Sequence, residues 1–297
     1  MAAQHRRATL IHNDKAGDGR HCRSGLTGLL ERAGYRVDYF SAKECDIAEV
    51  VEQSADLVVV AGGDGTVARV VAVATPEGPP IAILPLGTAN NIAISLGIAG
   101  PLDDLVASWA AGKTRPFYPV SVSGPWGTRR LCEGIGFGAV EQAMHEMPHK
   151  PGLQRARQAI REAVLGAAPE WLEIGIDGAT VAGRFAVVEI AAIPLMGPRL
   201  PLAPAADPSD RNLDICFIGD SGEERQRLAQ WLDDPEGAGP APVSVRRAPQ
   251  LTIAGEFRRV RLDSKLWDGE PDADVAEPWP VIGVATEPRP LDFLVPG

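Results

Sequence analysis

The chain has 297 residues, a formal net charge of -10 at pH 7, and 45% hydrophobic but 5% aromatic residues. This length suggests about two domains with cores of Val, Ile, Leu and Ala, and the acidic balance argues against nucleic acid as a partner, since neutralising phosphates needs a basic face. Cys22, Cys45, Cys132 and Cys216 are far apart and form no Cys-x-x-Cys pair, which argues against a zinc site or a disulfide framework and fits a reducing cytoplasm.

In chain order, residues 8–12 read as a first strand and 23–33 as a helix ended by Gly34. Residues 35–40 and 47–53 read as a second strand and helix. Residues 57–60 form a β-branched run without alternation, the mark of a buried parallel strand. It leads into Gly62-Gly63-Asp64-Gly65, with Thr66 as the expected N-cap of a helix over 67–74. A similar unit follows: a strand at 81–84, then Pro85-Leu86-Gly87-Thr88-Ala89-Asn90-Asn91, with Thr88 as the expected cap of a helix over 92–96. A helix at 102–111, stopped by Gly112, completes the first domain, residues 1–119. Alternating strands and helices predict a doubly wound parallel sheet covered on both faces.

After Pro119 the pattern changes. Short strands are expected at 120–122, 130–133, 172–176, 185–193, 213–218, 243–246, 250–254 and 258–263, separated by turn signals such as Asp177-Gly178. These predict an antiparallel β-sandwich over 120–285. A helix at 153–165 interrupts it, and another is expected within 220–234. Neither the N-terminal residues nor any later run is apolar and long enough for a signal peptide or a membrane span. Membrane contact is therefore expected to be peripheral, at the inner membrane surface. Its best candidate is the 153–165 helix, with Leu153, Ile160, Val164 and Leu165 on one side and Arg155, Arg157 and Arg161 on the other. The alternative is that this apolar side packs on the β domain.

Two strands ending in glycine turns at one sheet edge form the geometry in which backbone donors and helix dipoles hold phosphate. The expected cradle is Gly62, Gly63, Gly65 and Thr66, with Gly87 and Thr88 alongside. Asn90 and Asn91 add amide groups suited to a purine or ribose. Asp64 would repel phosphate unless Mg²⁺ stands between them; otherwise it stabilises the turn. The chain lacks the Gly-x-x-x-x-Gly-Lys-Ser/Thr loop and the protein-kinase signatures, so neither class applies. The five histidines show no metal spacing.

Gly-Gly-Asp-Gly-Thr followed by Pro-Leu-Gly-Thr-Ala-Asn-Asn resembles the diacylglycerol kinase catalytic-domain family, which includes sphingosine kinases and bacterial lipid kinases. The glycine motif is shared with NAD kinases. The resemblance continues through Asn13-Asp14-Lys15-Ala16-Gly17, Gly134-Ile135-Gly136-Phe137-Gly138, Asp210-Arg211-Asn212-Leu213-Asp214 and Asp268-Gly269-Glu270. It implies an NAD kinase-like first domain, a 286–297 segment that returns to it, and ATP and Mg²⁺ as cofactors. Asn13 and Lys15 would join the nucleotide site. Asp268 would be the general base, with Glu270 binding metal or steering it, and Asp64, Asp210 and Asp214 would be metal ligands. The implied activity is transfer of the γ-phosphoryl group of ATP to a lipid hydroxyl in phospholipid metabolism. A soluble acceptor such as NAD, or an inactive nucleotide- or lipid-binding protein on the same fold, are the alternatives. Three departures bear on this: Asn91 replaces an aspartate, Asp14 a proline, and Arg211 a glycine at a position that can need positive φ.

Overall fold

The computed structural model describes residues 6–17, 21–54, 56–147, 152–257, 259–268 and 281–297. They fall into two compact units, residues 1–119 with 288–297 and residues 120–287.

The first unit follows the alternation of the sequence: β1 Arg6–His12, α1 Arg23–Arg32, β2 Tyr35–Ser41, α2 Ile47–Glu52, β3 Leu57–Gly62, α3 Asp64–Val71, β4 Ile81–Pro85, α4 Asn91–Ser95, α5 Leu102–Ser108 and β5 Thr114–Phe117. A C-terminal strand, Leu291–Leu294, inserts between β4 and β5, giving the order β2-β1-β3-β4-C-terminal strand-β5. All neighbours are parallel except β5, which runs antiparallel to the C-terminal strand. Every residue of β3 is buried, as its unbroken apolar run requires in a sheet covered on both faces. Helix α1 shows the complementary pattern, burying Leu26, Leu29 and Leu30 at helical spacing.

The strand order reverses direction between β1 and β3. β1 leads to β2 on one side, and the chain then returns across β1 to β3. In open α/β sheets a crevice opens at such a switch point, outside the carboxyl ends of the strands. The segments leaving β1 and β3, Asn13 onward and Gly63 onward, flank it.

Helix boundaries differ from expectation at both glycine turns. α3 begins at Asp64 with Gly63 as its cap, so Thr66 lies inside the first turn. α4 begins at Asn91, and its cap is Asn90, in the left-handed region at φ 53°, not Thr88. Glycine and asparagine end these strands more abruptly than the apolar periodicity suggests.

The second unit contains β6 Val120–Gly124, β7 Gly127–Leu131, β8 Gly134–Gly138, α6 Ala139–Glu146, α7 Leu153–Gly166, β9 Glu170–Ile176, β10 Ala179–Ala191, β11 Leu213–Gly219, α8 Gly222–Trp231, β12 Ser244–Ala248, β13 Gln250–Glu256, β14 Arg259–Leu262, β15 Lys265–Asp268 and β16 Ile282–Thr286. All pairings here are antiparallel. The sheet forks at β10. Its first half pairs with β9 across the Asp177-Gly178 turn, whose two residues both have positive φ as a tight hairpin needs. Its second half lies between β8 and β11. One face of the sheet encloses a core including Phe137, Ile174, Ile190, Ile215, Ile253 and Phe257. α6, α7 and α8 share a second core with residues of β10 and β11.

Helix α7 turns most of its apolar side onto its own unit, while Arg155 and Leu165 stay exposed. Ala156, Ile160 and Val164 are buried in the second core. Arg157 donates to the Pro198 carbonyl at 3.0 Å and to Glu236 at 2.9 Å, and Arg161 pairs with Asp233 at 3.0 Å. Arg157 and Arg161 are thus tied to their own unit. Among the described residues, no helix is long and apolar enough to cross a membrane.

Candidate active site

Three loops meet at the carboxyl ends of β1, β3 and β4. The Asn13 amide donates to the Ala61 carbonyl at 2.9 Å, and the Asn13 side-chain Nδ2 donates to Thr66 Oγ1 at 3.3 Å. The Lys15 amide closes a turn on Asn13 Oδ1 at 3.2 Å, which leaves the Lys15 side chain exposed beside the loop. Gly17, at φ 59°, passes so close to the Leu86 carbonyl that a Cβ would collide with it. The loop after β1 therefore rests on both glycine turns.

The two turns also rest on each other. A Cβ on Gly63 would stand 2.9 Å from the Gly87 Cα, and one on Gly87 would stand 2.5 Å from the Gly63 Cα. Asn90 fixes the second turn from within: its Oδ1 accepts from the Gly87 amide at 2.8 Å, and its Nδ2 donates to the Gly87 carbonyl at 2.9 Å. The Asn90 amide that the sequence offered to a purine is thus engaged in its own loop. Asn91 is 1% exposed, so its side chain faces the interior rather than a ligand. Thr88 is exposed at the second turn.

Asp64 joins the turns a third way. Its Oδ1 accepts from the Ile92 amide at 2.9 Å, capping α4 from the neighbouring segment. Burial raises its pKa, while hydrogen bonds from the Ile92, Asn91 and Asn90 amides oppose that rise. The N-terminus of α4 is therefore occupied by a carboxylate. At the N-terminus of α3, Asp64 and Gly65 precede its hydrogen-bond ladder, and Gly65 is exposed. Thr66 is 4% exposed and its amide already donates to the Gly63 carbonyl at 2.8 Å, so it supports the cradle from below.

As a magnesium ligand Asp64 offers one carboxylate, which suits an ion held mainly by nucleotide phosphates and water. Asp210 and Asp214 do not suit one. Arg247 Nη2 donates to Asp210 Oδ2 at 2.9 Å and its Nε to Asp214 Oδ1 at 2.7 Å, so a guanidinium spans the expected metal pair. Among the described residues no group of three His, Cys, Asp or Glu side chains could hold a metal. Arg211 is not among the described residues with positive φ, so its side chain causes no backbone strain there.

In the second unit, Asp268 ends β15, paired in register with Arg259 of β14. Arg259 Nε lies 3.3 Å from Asp268 Oδ1, and His145 Nδ1 of α6 lies 4.0 Å from its Oδ2. The carboxylate is 55% exposed. Glu270 lies outside the described residues. Neither His145 nor Arg259 stood out in the sequence. The register pairing Arg259 with Asp268 could have been inferred from a β14–β15 hairpin around Asp263, had residues 265–268 been read as a strand.

Beneath this strand pair lies a buried charge cluster. Arg261 donates to Glu189 Oε2 at 2.5 Å and stands 3.6 Å from Glu141 Oε1, all three about 1% exposed. Gly136 passes over both carboxyl groups, where a Cβ would collide with them. The middle glycine of Gly134-Ile135-Gly136-Phe137-Gly138 thus makes room for buried acids.

Residues 7–122 match the diacylglycerol kinase catalytic domain. A diacylglycerol kinase from Bacillus subtilis is 26% identical over 281 residues, 85% of this chain and 90% of that protein. A crystal structure of a diacylglycerol kinase from Bacillus anthracis superposes with a TM-score of 0.67 at 18% identity, covering 98% of this chain and 97% of that one. An NAD kinase from Archaeoglobus fulgidus, solved in complex with ATP, shares the fold at a TM-score of 0.53 and 16% identity, covering 98% and 94%. The chain is thus similar to diacylglycerol kinases along most of its length, and the match to their catalytic domain covers residues 7–122.

Proposed function

We propose that the chain is an ATP-dependent lipid kinase, transferring the γ-phosphoryl group to a lipid hydroxyl as diacylglycerol kinases do. The mutual contact of Gly63 and Gly87 carries this reading, because it holds the α3 N-terminus at the switch point of the sheet. The phosphates would lie against the Asp64 and Gly65 amides, with Lys15 reaching them from the loop after β1. Gly62, Gly63, Thr66, Gly87, Thr88, Asn13, Asn90 and Asn91 would build and brace that cradle. Asp64 would help to hold a magnesium ion arriving with the nucleotide, which would supply positive charge against the phosphates.

The acceptor oxygen would bond to the γ-phosphorus as the bond to the β–γ bridging oxygen breaks, releasing ADP. Asp268 would take the hydroxyl proton, with Glu270 steering it. The Asp268 carboxylate is exposed, open to an acceptor hydroxyl. Arg259 beside it would fix its orientation. Substrate presentation fits transient, peripheral contact with a membrane surface from the cytoplasm.

The experiment is transfer of label from γ-labelled ATP, with magnesium, to a lipid panel in mixed micelles and to NAD in parallel. Label in the lipid extract supports the proposal. Label in NAD alone would replace the acceptor. No transfer by a protein that binds ATP would make it a nucleotide-binding relative without turnover.

A further inference from the structure

Arg247 and Asp214 face each other across the β11–β12 ladder. Asp214 is 1% exposed, and a carboxylate so enclosed needs a cation or a proton. The guanidinium fork supplies the cation to two partners at once, Nε to Asp214 at 2.7 Å and Nη2 to Asp210 at 2.9 Å. The rest of the loop closes on itself. Asp210 Oδ1 accepts from the Asn212 amide at 2.8 Å, Asp207 Oδ1 from the Ser209 amide at 2.8 Å, and the Arg211 carbonyl from Thr286 Oγ1 of β16 at 2.9 Å.

We infer that Arg247 is a built-in counter-cation standing where the resemblance implies a divalent ion, so that the 207–214 segment folds on β12 and β16 without metal. A divalent ion and Arg247 exclude each other here. Magnesium would need the same two carboxylates at about 2.1 Å, with water completing an octahedron, and it would leave the guanidinium without its partners. Unlike a bound ion, the arginine neither dissociates nor titrates. The magnesium requirement of the protein then narrows to the ion that travels with the nucleotide. This inference stands on the carboxylate pair alone and holds whatever the acceptor is.

It also predicts what Arg247 conceals. Replacing it with alanine uncovers two carboxylates on a loop that is otherwise held in place, and that pair should take up a divalent cation. The test uses nucleotide-free full-length protein: wild type, Arg247→Ala, Arg247→Ala with Asp210→Asn, and Asp210→Asn alone. Thermal unfolding is followed in EDTA, magnesium or calcium at matched ionic strength, and bound manganese is counted by electron paramagnetic resonance. Wild type and Asp210→Asn should unfold at the same temperature with or without divalent ion. Arg247→Ala should unfold lower in EDTA and recover about 2–4 °C with magnesium or calcium, binding one manganese ion that the double variant loses. A divalent-dependent rise in wild type that Asp210→Asn abolishes would overturn the inference. So would an Arg247→Ala protein indifferent to divalent ions. If Arg247→Ala does not fold, Asp210→Asn against wild type decides the question alone.

Discussion

Gly63 and Gly87 lie so close that neither has room for a methyl group: a Cβ on Gly87 would come within 2.5 Å of the Gly63 Cα. Both contacts are to backbone, which cannot rotate away as a side chain can. The two turns are consequently packed directly against each other. Gly87→Ala should destabilise the protein by about 1–3 kcal/mol, the usual cost of forced overpacking. Urea unfolding measures it, and an unchanged midpoint would mean that the turns are separable.

Asp64 binds the same two turns through a hydrogen bond. Removing the carboxyl with Asp64→Ala leaves the Ile92 amide and the start of α4 without their acceptor. The expected loss is about 0.5–2 kcal/mol, the range for a helix cap. Asp64→Asn keeps an oxygen at that position and should retain most of the stability. Amide exchange at Ile92 reads this locally, and it should quicken in the alanine variant far more than in the asparagine variant.

Much of this architecture could be read in the chain because its signals are local. The apolar run of β3 and the glycines behind it lie within ten residues, and the alternation of strands and helices fixes the sheet. What escaped reading depends on distant partners. Asp64 could be placed in a cradle but not on Ile92, 28 residues away. Asp210 and Asp214 looked like metal ligands because Arg247 comes 33 residues after Asp214 in the chain. The amphipathic pattern of α7 is the same whether its apolar side meets lipid or protein, and Arg157 and Arg161 found carbonyls and acids of their own unit. α6 was missed because glycines hide the end of β8; Gly136 makes room for Glu141 and Glu189, while Gly134 and Gly138 pass close to the Ile190 and Ala186 carbonyls of β10.

Glu141 should make stability depend on pH. Burial, and next the charge of Glu189, push its pKa well above the usual carboxylate range, with Arg261 opposing. The folded protein therefore holds a proton that the unfolded chain, with a glutamate pKa of about 4.3, gives up. That contribution is fully present below about pH 4 and is lost as pH rises through the folded value. Glu189 and Asp263, also raised by burial, act in the same direction. Glu141→Gln mimics the protonated acid and should gain on wild type as pH rises from about 5 to 8, by up to about 1.4 kcal/mol per unit in the titrating range. Urea unfolding across that window checks it; parallel curves for the two proteins would show that Glu141 is ionised in the fold.

Asp268→Asn should separate chemistry from binding. The side chain keeps its shape and loses the capacity to accept a proton, so turnover should fall by roughly 10²-fold or more with nucleotide affinity unchanged. Equal turnover in the two proteins would leave Asp268 as an ion-pair partner of Arg259 and nothing more.

The central claim is that the joined glycine turns hold nucleotide phosphates at the N-terminus of α3, and Gly65→Glu tests it most directly. Gly65 is exposed in the first turn of that helix, where an acidic side chain favours the helix dipole but repels phosphate. Calorimetric titration with magnesium-ADP and magnesium-ATP should show binding to wild type and none to Gly65→Glu, whose unfolding temperature should be equal or higher. Undiminished affinity in that folded variant would contradict the account and place the phosphates elsewhere.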